Sequence, residues 1–216
     1  MLKVLFPVAV RAVNATYQMQ FGYTERPTHY STSHDLARFE VPGHRFADLS
    51  EHGFGVALLT DCKYGYSTYA NEMRIGLLRG TTVPDPDADL GHHRFAYAVL
   101  PHAGGWREAG VVAEAARFET PIRWLPGAAE PRSFLSIDDS NLVIDTVKRA
   151  EDTDALVVRL YEAHGGRGRA RLSIAWPVRE AVRCSLLEDP GEPLPVTDGA
   201  VQLRYRPHEI ISVLVS

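Results

Sequence analysis

Apolar and polar residues alternate with a period of two along most of this chain, a pattern that strands satisfy and helices do not. Residues 2–10 and 15–21 read as strands, the second placing Tyr17, Met19 and Phe21 on one face before Gly22 and Pro27 end the pair. Residues 36–41 read as a third strand, broken by Pro42-Gly43. Residues 54–60 (FGVALLT) are almost all apolar, as in a strand covered on both faces, and residues 72–78 (EMRIGLL) mirror them. These two are expected to form a buried hairpin. The run TTVPDPDADLGHH supplies turns but no ladder and reads as a loop, after which residues 94–100 resume the alternation. Only residues 106–118 change period: their alanines and apolar spacing predict one short helix.

The segment TPIRWLPGAAEP carries Pro121, Pro126 and Pro131 around a Gly-Ala-Ala run and is the best domain boundary in the chain. Beyond it, strand-length runs recur at residues 134–137, 142–148, 155–162, 169–176, 181–187, 200–205 and 210–215. Turn signals separate them: Asp152-Thr153-Asp154, Gly165-Gly166, Asp189-Pro190-Gly191 and Asp198-Gly199. This spacing predicts an antiparallel β-sandwich of immunoglobulin-like size, without the Cys-Trp-Cys arrangement of a true immunoglobulin domain. The expected organisation is all-β: a sandwich domain over residues 1–125, a linker at 126–132, and a smaller sandwich over 133–216, with the helix between the two.

At 216 residues, 45% hydrophobic and 23% charged, the chain can bury its own core. A net charge of −4 argues against nucleic acid and against an anionic membrane as partners, since both demand a basic face. No run approaches the ~20 apolar residues of a membrane span. Cys62 and Cys184 could form at most one bridge and read as reduced thiols. The N-terminal apolar run is interrupted by Pro7 and fits a first strand better than a signal peptide, so a cytoplasmic protein is expected.

Residues 26–66 hold the most unusual chemistry. His29, His34, His44 and His52 lie there near Asp35, Asp48 and Glu51, but no pair has the spacing of a known zinc set, and no metal site is expected. Thr60-Asp61-Cys62-Lys63-Tyr64-Gly65-Tyr66 follows the apolar strand directly, where a rigid element can present side chains. A carboxylate, an ammonium and tyrosine rings together suit sugar recognition; a hairpin turn with solvated polar groups accounts for them equally well. Gly165-Gly166-Arg167-Gly168 reads as a hairpin turn rather than an anion cradle. Asp85, Asp87 and Asp89 lack the terminal Glu of an EF-hand loop and read as a solvated acidic loop.

Four stretches give the chain a family likeness: RPTHYSTSHDLARFEV from Arg26, HRFADLSEHGFGVALLTDCKYGY from His44, PDPDADLGHHRFAYAVLPHAG from Pro84 and NLVIDTVKRAEDTDALVVRLYEAHGG from Asn141. In them the sequence resembles the C-terminal β-region of family 38 glycoside hydrolases, the α-mannosidases of the cytosolic and bacterial branch. His34 departs from the pattern, which has an aromatic residue there. The resemblance implies a retaining, zinc-dependent α-mannosidase whose nucleophile and metal ligands belong to a separate N-terminal domain, so that these residues contain no catalytic group and no cofactor site. It implies that residues 1–125 belong to the large mannosidase β-sandwich. It further implies the catalytic and helical domains of the same enzyme as partners, and a mannose-containing carbohydrate as ligand. Strand-end position and residue type make Arg45, Asp61, Lys63, Tyr64 and Arg79 the candidates for the pocket rim. A stand-alone carbohydrate-binding module, or a structural domain that mediates self-association, are the competing readings.

Overall fold

The computed structural model describes residues 1–120, 122–127 and 130–216, and the chain divides into two compact units, Met1–Arg123 and Trp124–Ser216. The break lies inside the proline-rich segment; of the expected linker, Ala128 and Ala129 lie outside the described residues, as does Pro121 beside it. Both units are built of antiparallel strands.

The first unit contains β1 (Leu2–Pro7), β2 (Asn14–Met19), β3 (Gly22–Pro27), α1 (Ser33–Ala37), β4 (Val41–Pro42), β5 (Phe46–Glu51), β6 (Phe54–Thr60), β7 (Gly65–Tyr69), β8 (Glu72–Leu78), β9 (Tyr97–Ala103) and α2 (Val111–Glu119). One sheet has the order β1-β8-β7-β4 and the other β3-β2-β5-β6-β9. Their inward residues meet in one core containing Tyr17, Leu49, Leu58, Tyr66, Met73 and Ile75. Strand β8 shows how the sequence writes this: Met73, Ile75 and Leu77 are buried while the residues between them are half-exposed. Each such side chain contributes roughly 1.5–3 kcal/mol by leaving water. The opposite face of the five-stranded sheet carries α2, which buries Val111, Val112 and Ala115.

Three expectations are corrected here. The buried strands β6 and β8 do not form a hairpin; β6 pairs with β5 and β9, while β8 pairs with β1 and β7 in the other sheet. Two strands that the alternation did not single out, β5 and β7, take the hairpin positions. Turns of positive φ at Gly53 and Ala70 close each pair. The strand expected at residues 36–41 is instead the short helix α1, with extended structure only at Val41–Pro42. Thr32 and Asp35 explain it: each side chain accepts from the other's backbone N–H, a reciprocal cap that starts a helix. The expected helix over 106–118 begins only at Val111, because Gly110 adopts a left-handed conformation (φ 67°) after a run of turns.

The second unit contains β10 (Leu135–Ile137), β11 (Leu142–Arg149), β12 (Leu156–Glu162), β13 (Gly168–Ile174), β14 (Ala181–Cys184), β15 (Pro190–Pro193), β16 (Val196–Thr197), β17 (Ala200–Tyr205) and β18 (Ile210–Val215). A sheet of order β10-β13-β17-β16 faces one of order β11-β12-β18-β14-β15 across a core that includes Leu160, Leu172, Leu203, Ile211 and Val213. The Gly165-Gly166 turn is no hairpin, since β12 and β13 lie in different sheets. It is an anion cradle, and its anion is internal. The Glu162 side chain, 0% exposed, accepts from the backbone N–H groups of His164, Gly165, Gly166 and His208 at 2.8–2.9 Å. A buried carboxylate is tolerated when its lone pairs are met in this way.

Candidate functional site

Strand β6 ends at Thr60, which is buried and tied on both sides: its N–H donates to Arg45 O at 3.0 Å, and its hydroxyl accepts from Lys63 N–H at 3.1 Å. The chain then crosses from the five-stranded to the four-stranded sheet, so residues 61–64 form an inter-sheet connection anchored at both ends. Asp61 N–H donates to Ala96 O at 3.2 Å, drawing in the segment before β9.

Three of the candidate residues converge on this connection. Lys63 Nζ lies 4.6 Å from the centroid of the Phe95 ring, a cation–π arrangement. Asp89, with φ +63°, folds the acidic loop back: its carboxylate accepts from Gly80 N–H at 2.7 Å and from Arg79 N–H at 3.0 Å. Those two backbone donors hold the Asp89 carboxyl below its ordinary range, and the charges of His93 and Lys63 add to them. Burial pushes Asp61 up, but the Cys62 thiol, backbone N–H donors and Lys63 outweigh it and leave its carboxyl lowered as well. Its Oδ1 has no hydrogen-bond partner among the described residues. Asp61, Lys63 and the Arg79–Asp89 link therefore form one neighbourhood of fixed charges, with the Arg79 side chain exposed beside it.

Tyr64 and Arg45 stand differently. Tyr64 is 54% exposed and its ring packs 5.4 Å from that of His44. The Arg45 guanidinium is paired through its Nε with the Glu119 carboxylate at the end of α2, so this donor is already engaged within the chain.

Two carboxylates elsewhere bear on the chemistry. Asp48 on β5 is 1% exposed; burial pushes its carboxyl up, while Ser50 Oγ at 2.5 Å and His102 Nε2 at 2.7 Å pull the other way. Its raised pKa would suit a general acid, but it is sealed beneath the sheet surface. Asp89 is exposed and Asp61 half-buried, and both carboxyls are pushed in the wrong direction for an acid. Of Asp48, Asp61 and Asp89, none combines an exposed carboxyl with the raised pKa that an acid in glycoside hydrolysis needs. Asp61 burdens Cys62 in turn, and its thiol is raised, the reverse of an activated nucleophile.

Among the described residues no three His, Cys, Asp or Glu side chains converge as a metal site. His29, His34 and His52 are exposed. The sequence reading missed the Asp48–His102 pair, the Glu162 cradle and the tie between Asp89 and Lys63. A polar Asp48 inside an apolar run was the available signal for the first.

The chain consists of two antiparallel β-sandwich units, the first of which carries a polar connection at the end of β6. Residues 1–87 match the "Glycosyl hydrolases family 38 C-terminal domain", and residues 141–213 match the "Glycosyl hydrolases family 38 C-terminal beta sandwich domain". The chain belongs to glycoside hydrolase family 38, as its C-terminal region. It is 46% identical to "Alpha-mannosidase 2C1" of Homo sapiens over 99% of its own length and 21% of that protein's. It is 40% identical to "Alpha-mannosidase" of Saccharomyces cerevisiae over 87% and 19% respectively. The chain thus spans about one fifth of the length of the curated relatives it matches. The crystal structure of an alpha-mannosidase from Enterococcus faecalis shares the fold, with a TM-score of 0.77 at 20% identity, over 99% of this chain and 25% of that one. Among the described residues no helix is long and apolar enough to cross a membrane.

Proposed function

We propose that this chain is the non-catalytic C-terminal portion of a retaining α-mannosidase that removes α-linked mannose from oligosaccharides, and that its Asp61–Lys63–Tyr64 connection forms part of the wall of the sugar pocket. The observation that carries the reading is the clamped inter-sheet connection after β6. Lys63 offers an ammonium held over Phe95, Asp61 offers a lowered, half-buried carboxylate, and Tyr64 offers an exposed ring. An ammonium and a carboxylate donate to and accept from sugar hydroxyls, and a tyrosine ring packs on the apolar face of a pyranose. Arg79 adds a second cation at the same edge. Arg45 serves as a positioning residue: its carbonyl holds Thr60 and its guanidinium holds α2.

The catalytic acid, the nucleophile and the zinc belong, on this reading, to an N-terminal domain against which the first unit packs. Residues 1–125 supply part of the large sandwich and residues 133–216 the small one. A cytoplasmic location is supported by the two cysteines, both free thiols, with Cys62 exposed, the state that a reducing compartment maintains. The test is alanine replacement of Lys63 and Tyr64 in the whole enzyme. A change in KM or kcat toward an aryl α-mannoside with little change in thermal stability supports the wall; lost stability with unchanged kinetics would reduce the connection to a structural turn.

A further inference from the structure

Strand β17 runs beside a groove of about 1150 Å³ that lies wholly in the second unit and is walled by arginine. Arg167, Arg169, Arg204 and Arg206 line it and are exposed, and among the described residues none of their side chains meets a carboxylate. A fifth, Arg183, is already paired with Glu209 at 2.7 Å, and Glu192 is the remaining acid on the wall. This basic cluster stands on a chain whose net charge is −4.

The strand register sharpens the point. Arg169 on β13 is the direct cross-strand partner of Arg204 on β17. Gln202 N–H donates outward to Pro195 O, so Gln202 and, two residues on, Arg204 turn their backbone groups away from β13. Arg169 and Arg204 therefore occupy a non-hydrogen-bonded pair, the closer of the two antiparallel types. Like charges directly opposite one another destabilise a sheet unless an anion lies between them. On the other flank β16 pairs only with Ala200 and Val201, so among the described residues β17 has no strand partner on that flank from Leu203 to Tyr205. The Arg204 carbonyl accepts there from Arg183 Nη2 at 2.8 Å.

We propose that this groove is a docking site for an acidic, extended polypeptide segment, whose carboxylates are held by Arg167, Arg169, Arg204 and Arg206. Charge complementarity gives the sign of the partner, because each guanidinium can grip a carboxylate with two parallel donors. Shape gives its form: the groove exceeds the ~300–1,000 Å³ of small-molecule pockets, follows an uncovered strand flank and includes the apolar Leu194 and Pro195. Single-stranded nucleic acid fits less well, since an aromatic stacking platform is required and the lining tyrosine, Tyr205, is buried. Chain for such a segment exists in principle, as about four fifths of the length of the curated relatives lies outside this sequence.

The test is fluorescence anisotropy of a labelled polyglutamate peptide with the 216-residue chain, at about 50 and about 200 mM salt. Saturable binding that weakens with salt is expected, and Arg169→Gln with Arg204→Gln should lower affinity at least about tenfold, the loss of a charge-assisted contact. Arg149→Gln, remote from the groove, should leave affinity unchanged. Thermal unfolding supplies the second readout: Arg169→Gln should melt at or above the temperature of the parent chain, because it relieves the opposed charges. Absent binding, an equal loss with Arg149→Gln, or a lowered melting temperature for Arg169→Gln would overturn the proposal. Tighter binding of pyrophosphate or of an oligothymidylate than of polyglutamate would overturn it too, by making the groove a phosphate site.

Discussion

Lys63 stands with its ammonium 4.6 Å from the centre of the Phe95 ring, joining the end of β6 to the segment that leads into β9. Lysine is rare in this chain, and here its charge is held by a ring and by the nearby Asp61 and Asp89 rather than by one salt bridge. Such a cation keeps donors free for a ligand. Lys63→Met in the whole enzyme is expected to lower kcat/KM toward an aryl α-mannoside about tenfold, roughly 1.4 kcal/mol of transition-state binding. The stability lost with the ring contact should stay below about 1 kcal/mol. Steady-state kinetics beside a denaturant titration separates the two effects.

The Glu162 cradle makes a different demand. Four backbone N–H groups point at its two oxygens, so every lone-pair site there must accept. Glu162→Ala orphans all four donors, and Glu162→Gln turns an amide N–H₂ toward two of them. Both variants are expected to cost about 3 kcal/mol or more, the glutamine nearly as much as the alanine. Urea unfolding of the chain measures this. A glutamine variant close to the parent in stability would mean that shape, not charge, fills the site.

Gly43 is required by packing. A Cβ at that position would meet the Tyr66 ring at 2.9 and 3.0 Å and the Tyr17 Cβ at 3.4 Å. Tyr66 cannot swing aside easily, because it is buried in the core and its hydroxyl donates to His44 O at 2.7 Å. Gly43→Ala is therefore expected to destabilise the first unit by about 1–3 kcal/mol, read as a lower melting temperature.

Asp48 sets a pH dependence whose sign follows from its environment. Burial raises its carboxyl above the unfolded value, so the folded state favours the protonated form. The stability this supplies is fully present below the unfolded pKa near 3.8 and is lost as pH rises through the higher folded value. Asp48→Asn removes that loss. Relative to the parent chain the variant should gain stability between about pH 4 and pH 7, by urea unfolding at both ends. A difference that shrinks or reverses over that interval would contradict a raised carboxyl.

Much of the fold could be read from period and turn chemistry. Met73, Ile75 and Leu77 announce a strand, as do Ala170, Leu172 and Ile174, because a two-residue period survives any tertiary setting. Pairing was less legible. Residues 54–60 and 72–78 look like partners by composition, yet which strand lies beside which depends on β5 and β7, whose polar Asp48, Ser67 and Thr68 disguise them. Helix α1 was written in Thr32 and Asp35 but masked by the apolar Phe39 and Val41 that follow. At the candidate site, Asp61 and Lys63 stand out because they directly follow an apolar strand. Asp89 could not be chosen from the acidic loop, since only a positive φ and two backbone donors distinguish it from Asp85 and Asp87. Nor does sequence spacing reveal that Arg45 is paired with Glu119.

The central claim is that these residues serve an α-mannosidase without performing its chemistry. The most direct measurement is release of 4-nitrophenol from 4-nitrophenyl α-mannoside, with added zinc, by the purified 216-residue chain and by the whole enzyme that contains it. The account predicts turnover by the whole enzyme and none by the isolated chain. Metal-dependent turnover by the isolated chain would contradict it.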